Sequence, residues 1–307
     1  MKIRANGIAI EVEDSGPGVG GAARPAVLLI MGLGMQLIAW PEDLLRPLLG
    51  AGYRVIRFDN RDIGLSQHFD ELGTPNLAWQ FLRLKLGLAP RAPYRLADMA
   101  ADALGVLDEL GVDRAHVVGV SMGGMIAQRV AIAAPKRVQS LTSIMSSSGA
   151  RGLPQARREI GRALLARPKS PSRDDVADHY VQLFGMIGSP GFPQPEALLR
   201  EHVLLAQDRS YHPAGTLRQL AAIVADTARA QELARIATPT LVLHGRADPL
   251  VPYPHGEDTA RRIAGARLVG IDGMGHDLAP GVVERLLPPL LAHLDAARSS
   301  RPALATP

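Results

Sequence analysis

There is no cysteine among the 307 residues of the chain. That absence rules out a disulfide framework, a thiolate metal site and a cysteine nucleophile together. Aromatic residues are scarce, at 4%, so a binding pocket is expected to be lined by Leu, Ile, Met and Val rather than by stacked rings. No apolar run reaches the roughly 18 residues that a bilayer-spanning helix needs. The opening stretch Met1–Gly16 alternates polar and apolar residues and lacks the apolar segment of a secretory leader. Nor does one charge dominate: 34 Lys and Arg stand against 30 Asp and Glu, a net +4. No basic stripe is interleaved with aromatics, so a nucleic-acid partner is not indicated. A cytoplasmic protein without a membrane span is the expectation these absences leave.

What is present suits a large buried core. Hydrophobic residues make up 47% of the chain, and α/β folds of this length often form a single unit. The N-terminus reads as a hairpin: Lys2–Arg4, a turn at Asn6-Gly7, then Ile8, Ile10 and Val12 on one face of a second strand. The glycine-rich stretch Gly16–Gly21 reads as a loop, and it lacks the Lys-Ser/Thr that a phosphate-cradling loop requires.

Short apolar runs then alternate with helical stretches. Strands are expected at Ala26–Met31, Tyr53–Asp59, His116–Ser121, Leu141–Met145, Thr240–His244 and Arg267–Ile271. Helices are expected near Pro41–Gly50, Leu96–Leu110, Met122–Ala133, Gly256–Ile263 and Val282–Leu294. Continuous rather than alternating apolar runs mark strands covered on both faces. Strand–helix alternation implies an α/β fold with a mostly parallel central sheet, to which the hairpin adds an antiparallel edge. Residues 149–234 break the rhythm with Arg- and Pro-rich pieces and short amphipathic helices. They read as a helical cap or lid between core segments 1–148 and 235–297, or alternatively as an insertion with no role in binding. Residues 298–307 read as a disordered tail.

The sharpest chemical signal is Gly119-Val120-Ser121-Met122-Gly123-Gly124, between an apolar strand and a helix. A turn this tight strains the central residue, and small residues are needed two positions to either side. The serine hydroxyl is thereby exposed at a helix N-terminus, where developing negative charge is favoured. A hydroxyl nucleophile needs a base. Of nine histidines, His276 follows the last apolar strand in Asp272-Gly273-Met274-Gly275-His276, whose glycines let the chain turn sharply. His255, in a Pro-rich loop, is the serious rival. His244 lies within a strand and reads as a core residue. A carboxylate must hold the imidazole in the accepting tautomer, and Asp248, in Gly245-Arg246-Ala247-Asp248-Pro249, follows the neighbouring strand. Acyl transfer also needs backbone donors for the oxyanion. The N–H groups of Met122 and Leu33 are the candidates, the latter in Met31-Gly32-Leu33-Gly34. Gly32, Leu33, Met122, Met145, Leu250 and the stretch Tyr180–Phe192, with Leu183 and Met186, are the candidate pocket.

These motifs resemble the α/β-hydrolase superfamily over nearly the whole chain. Asp59-Asn60-Arg61-Asp62-Ile63-Gly64-Leu65-Ser66 looks like the D-x-R-x-x-G-x-S turn that many members carry. Within the superfamily the chain resembles the aclacinomycin methylesterase group at Met31-Gly32, Trp40-Pro41, Arg57–Asp62, Asp113–Gly123 and Gly273–His276. The order Ser121, Asp248, His276 is the one this fold uses. Met31-Gly32 stands where most members have His-Gly, which removes a polar side chain but keeps the backbone donor. An Asp at position 121 would have implied a dehalogenase or epoxide hydrolase. The resemblance implies a serine esterase acting on a small-molecule ester through an acyl-enzyme, with no metal or organic cofactor. Cleavage of a lactone or of a C–C bond beside a ketone would use the same residues, and a ligand receptor could keep the same pocket.

Overall fold

The computed structural model describes residues 1–18 and 24–299. Strands β1 (Lys2–Ala5) and β2 (Ile8–Asp14) form the expected hairpin, with Ala5 opposite Ile8. Asn6 and Gly7 both have positive φ, 49° and 80°, the turn geometry whose twist matches its flanking strands. The other strands are β3 (Ala26–Ile30), β4 (Arg54–Phe58), β5 (Ala115–Val120), β6 (Val138–Ile144), β7 (Thr240–Gly245) and β8 (Arg267–Ile271). Together they make one sheet in the order β1-β2-β4-β3-β5-β6-β7-β8. From β4 onward every pairing is parallel, and β2 joins β4 antiparallel. The fold is therefore the α/β architecture expected, with the hairpin at one edge.

Four helices belong to the first half of the chain: α1 (Glu42–Gly50), α2 (Leu77–Lys85), α3 (Leu96–Glu109) and α4 (Met122–Ala133). Between β6 and β7 come α5 (Arg158–Leu165), α6 (Arg173–Ile187), α7 (Glu196–Arg209), α8 (Pro213–Ala225) and the short α9 (Arg229–Glu232). No strand interrupts them among the described residues. The chain closes with α10 (Pro254–Arg262) and α11 (Pro280–Ser299). No helix among the described residues is long and apolar enough to cross a membrane.

Strand β3 is apolar and buried at every position because both of its faces are covered. In β3, Leu28 and Ile30 enter one core cluster with Met99, Val106 and Ile126 of α3 and α4. Val27 and Leu29 point the other way, into a cluster with Leu44 and Leu48 of α1 and Leu286 and Leu290 of α11. Successive side chains on a strand alternate faces, so a strand between two helix layers carries no polar side. β8 departs from that expectation: it is the edge strand, and only Ile271 in it is buried.

Helix α2 stands outside the expected elements, and one further expectation is corrected. α2 carries no sequence pattern that announces it, because its apolar residues do not face the core. α11 extends to Ser299 despite Pro288 and Pro289, so Arg298 is helical rather than part of a tail; its guanidinium lies 5.2 Å from the Tyr53 ring centroid. Residues 19–21 of the glycine-rich loop and 300–307 of the expected tail lie outside the described residues.

The turn after β4 ties the layers together. Buried Asp59 accepts hydrogen bonds from the Leu37 and Leu65 amides and from Arg209 of α7. Burial raises its carboxyl above the ordinary range in spite of these donors. Arg61 grips Asp102 of α3 through two bonds of 2.6 and 2.7 Å, and Arg218 of α8 does the same to Asp62 at 2.8 and 2.7 Å.

At the opposite end of the sheet His116 is fully buried, with Nδ1 2.8 Å from the Ser140 hydroxyl and no partner for Nε2. Burial, reinforced by the charges of His293 and Arg298, lowers its pKa to about 4. The unfolded chain takes up this proton near the ordinary value of about 6.5. The folded state is therefore undiminished above that pH, loses stability as pH falls toward about 4, and loses no more below it. Urea unfolding is expected to register about 2–3 kcal/mol from this group between pH ~7 and ~4.5. His116→Gln is expected to remove that share of the slope; an unchanged slope would show that the group does not titrate as described.

Candidate active site

The site is built where β5 turns into α4. Ser121 has φ 54° and ψ −119°, a strained conformation for a residue with a side chain. It is affordable only because backbone can close in around it. A Cβ on Gly119 would lie 2.1 Å from the Gly123 carbonyl oxygen, and one on Gly123 would lie 1.9 Å from that of Ile30. The Ser121 amide donates to the Ile144 carbonyl at 2.9 Å, and the Ser146 hydroxyl donates to the Ser121 carbonyl at 2.7 Å.

The side chains at 121, 248 and 276 meet at the carboxyl ends of the strands. His276 Nδ1 is 2.7 Å from Asp248 Oδ2, and its Nε2 is 3.0 Å from Ser121 Oγ. Beside a carboxylate, which only accepts, Nδ1 must carry the proton and donate. Nε2 is then left with the lone pair that can accept from the serine hydroxyl. Asp248 is buried, and its second oxygen accepts from the amides of Leu250 and Val251 at 2.9 and 2.8 Å. His244 steadies that loop by donating from Nε2 to the Val251 carbonyl at 2.7 Å. His255 turns elsewhere, to Ser147 Oγ and the Pro154 carbonyl.

The loop that presents His276 is clamped by the segment after α6. The His276 amide donates to the Ile187 carbonyl at 2.7 Å, and the Gly275 amide to the Ser189 hydroxyl at 2.8 Å. Ser189 in turn donates to Asp277. A Cβ on Gly275 would fall 2.3 Å from the Gly188 carbonyl oxygen, which explains the glycine immediately before the histidine.

Gly32 lies against the serine: a Cβ added there would sit 3.3 Å from Ser121 Cβ. Its carbonyl accepts from the Met35 amide at 3.3 Å. Because the peptide is planar and trans, the Leu33 N–H points away from that turn. Among the described residues, neither the Leu33 nor the Met122 amide has a hydrogen-bond acceptor. The Leu33 loop is held at both ends. Asn60 Nδ2 donates to the Met31 carbonyl at 2.9 Å, and the Gly34 amide donates to Gln219 Oε1, also at 2.9 Å. Gln219, on α8, is fully buried and uses its own amide to donate to the Arg61 carbonyl at 2.9 Å. Gln36 crosses to α7, donating to the carbonyls of Ala206 and Ser210.

The expected pocket residues divide. Leu183, Met186 and Leu250 come together in one apolar cluster with Tyr180 and Phe184, and Leu250 borders Asp248. Met122 and Met145 depart from the expectation: their side chains are absorbed into the two core clusters. Sequence reasoning missed Asn60, Gln219, Gln36 and Ser189. Asn60 stood inside the Asp59–Ser66 motif, whereas the other three are single polar residues with no pattern around them.

His68, Asp70 and His212 bring three possible metal-ligand atoms within 4.8 Å of one another. Arg218 already occupies this cluster, 3.0 Å from His212 Nε2 and 3.2 Å from Asp70 Oδ1. A cation is therefore supplied from within the chain, and the donor set does not fit a second one.

Residues 25–279 match the family described by the alpha/beta hydrolase fold. The chain belongs to that family. It is 32% identical to the rhodomycin D methylesterase DauP of Streptomyces sp. (strain C5), over 91% of this chain and 94% of that protein. It is 30% identical to the rhodomycin D methylesterase DnrP of Streptomyces peucetius, with the same coverage. Among solved structures, the esterase EaEST of Exiguobacterium antarcticum superposes with a TM-score of 0.72 at 23% identity, covering 96% of this chain and 99% of that one. The aclacinomycin-methylesterase resemblance thus agrees with the methylesterase character of these relatives.

Proposed function

We propose that this carboxylic ester hydrolase works through an acyl-enzyme on Ser121, with His276 as general base and Asp248 holding the imidazole. The observation that carries the reading is the single imidazole shared between a carboxylate at 2.7 Å and a serine hydroxyl at 3.0 Å. The Ser121 oxygen attacks the ester carbonyl while its proton passes to His276 Nε2. The resulting imidazolium is stabilised by Asp248, which itself stays ionised. The carbonyl oxygen, now negative, is received by the Leu33 and Met122 amides, a reading supported by their lack of other acceptors. Collapse expels the alcohol, which takes the proton from His276. Water, deprotonated by the same nitrogen, then attacks the acyl-serine and releases the acid.

The methylesterase relatives support a methyl ester as the bond cleaved. The Leu183, Met186 and Leu250 cluster supports an apolar group on the acid side. Residues 149–234 act in this reading as a cap that also braces the site, since they contribute the contacts to Gly34, Gly275 and His276.

Ser121→Ala is expected to lower turnover of p-nitrophenyl butyrate by roughly 10⁴- to 10⁶-fold with folding intact. A fluorophosphonate is expected to label wild type and not the variant. Unchanged hydrolysis by the variant would overturn the assignment, and a panel with lactones and vinylogous diketones separates ester from lactone or C–C cleavage.

Gln219→Ala is expected to lower kcat by roughly 10- to 100-fold at nearly constant KM. This is less than the roughly 100- to 1,000-fold typical of losing an oxyanion donor outright, because the Leu33 amide is loosened rather than removed. A change in KM alone would show that Gln219 does not act through that amide.

A further inference from the structure

Helix α2 is turned inside out. Its one buried side chain is Gln80, which accepts a hydrogen bond from the Arg91 amide at 2.7 Å. Its large apolar side chains are mostly turned to water: Trp79 is 51% exposed, and Phe81 and Leu82 are exposed with it, while Leu77 and Leu84 are half-buried. Leu72 before the helix and Leu86 and Leu88 after it are exposed as well, with Leu86 at 62%. Half of the large exposed apolar side chains among the described residues fall between Leu72 and Leu88. Apolar exposure concentrated in one stretch of chain points to an interaction surface, whereas singly scattered residues would not.

Charge identifies the occupant. Between Gly73 and Ala97 there is no Asp or Glu, while Arg83, Lys85, Arg91 and Arg95 all fall there. The side chains of these four form no ion pair among the described residues, although those of most arginines elsewhere do. Apolar and tryptophan side chains flanked by unneutralised cations are the composition of a helix that lies in a membrane interface. Its long basic side chains can reach headgroups while their stems stay in the apolar layer. A second copy of the chain fits worse, since a two-fold contact would bring this cationic surface against itself.

We propose that the Leu72–Arg95 segment docks the protein onto an anionic lipid surface, with α2 lying in the plane of the interface. α2 packs on α8, the helix whose Gln219 braces the Leu33 loop, so docking brings the lipid phase to the side of the molecule that carries the site. The docking itself does not depend on the chemistry at Ser121.

The test uses the intact chain with vesicles of phosphatidylcholine, with and without one-third phosphatidylglycerol. There are two tryptophans; Trp40 is buried, so a change of emission on adding vesicles reports Trp79. The expected result is a blue shift and co-sedimentation with the anionic vesicles, both reduced at high salt. Leu82→Glu with Leu86→Glu is expected to weaken binding by roughly 100-fold or more, and Lys85→Ala or Arg91→Ala by about fivefold each. Quenching of Trp79 by brominated acyl chains in the wild type gives a measure that needs no variant. No co-sedimentation and no shift with anionic vesicles would overturn the proposal. So would binding indifferent to all four substitutions, or a concentration-dependent dimer abolished by the Glu pair without vesicle binding.

Discussion

The approach of bare backbone to bare backbone at the β5–α4 turn is the constraint on which the rest of the site depends. Ser121 keeps a positive φ because Gly119 lies on Gly123, and Gly123 lies on the Ile30 carbonyl, at distances where no Cβ can stand. That contact fixes three things together. The serine side chain is raised above the sheet, the first amides of α4 are left without acceptors, and the end of β3 is drawn close enough for Gly32 to touch the serine. Strain at one residue is compensated by the packing of β3, β5 and α4 around it.

The second constraint is that the helices between β6 and β7 are joined to the site and not merely laid over it. α6 ends on the loop of His276 through Ile187 and Ser189. α8 reaches the Leu33 loop through Gln219, and α7 reaches it through Gln36 and Asp59 through Arg209. These contacts are buried or half-buried polar bonds, each of which would leave an unpaired group if broken. They order the two loops that the strands by themselves leave free.

What was legible in the sequence follows from this division. The strands could be read because burial on both faces leaves continuous apolar runs such as Ala26–Ile30 and Val117–Val120. Ser121 could be read because its strain demands glycines at fixed spacing, and His276 because Gly275 must pass the Gly188 carbonyl. The bracing residues could not. Gln219 and Gln36 each act alone across more than 150 residues of chain, and a single glutamine in an amphipathic stretch looks like any solvated one. Met122 and Met145 were misjudged for the opposite reason: a methionine near Ser121 suits a pocket and a core equally, and tertiary packing decided for the core. α2 escaped notice because its one inward-facing side chain is polar.

Gln36 carries a consequence for how such enzymes are recombined. Its side-chain amide caps the end of α7 by donating to the carbonyl of Ala206 in the last turn and to that of Ser210 just beyond it, while the residue itself belongs to the loop after β3. The helical insertion and the loop are therefore matched parts. Transplanting the insertion of another family member, in the hope of importing its selectivity alone, would exchange one half of a lock for a half cut to a different key.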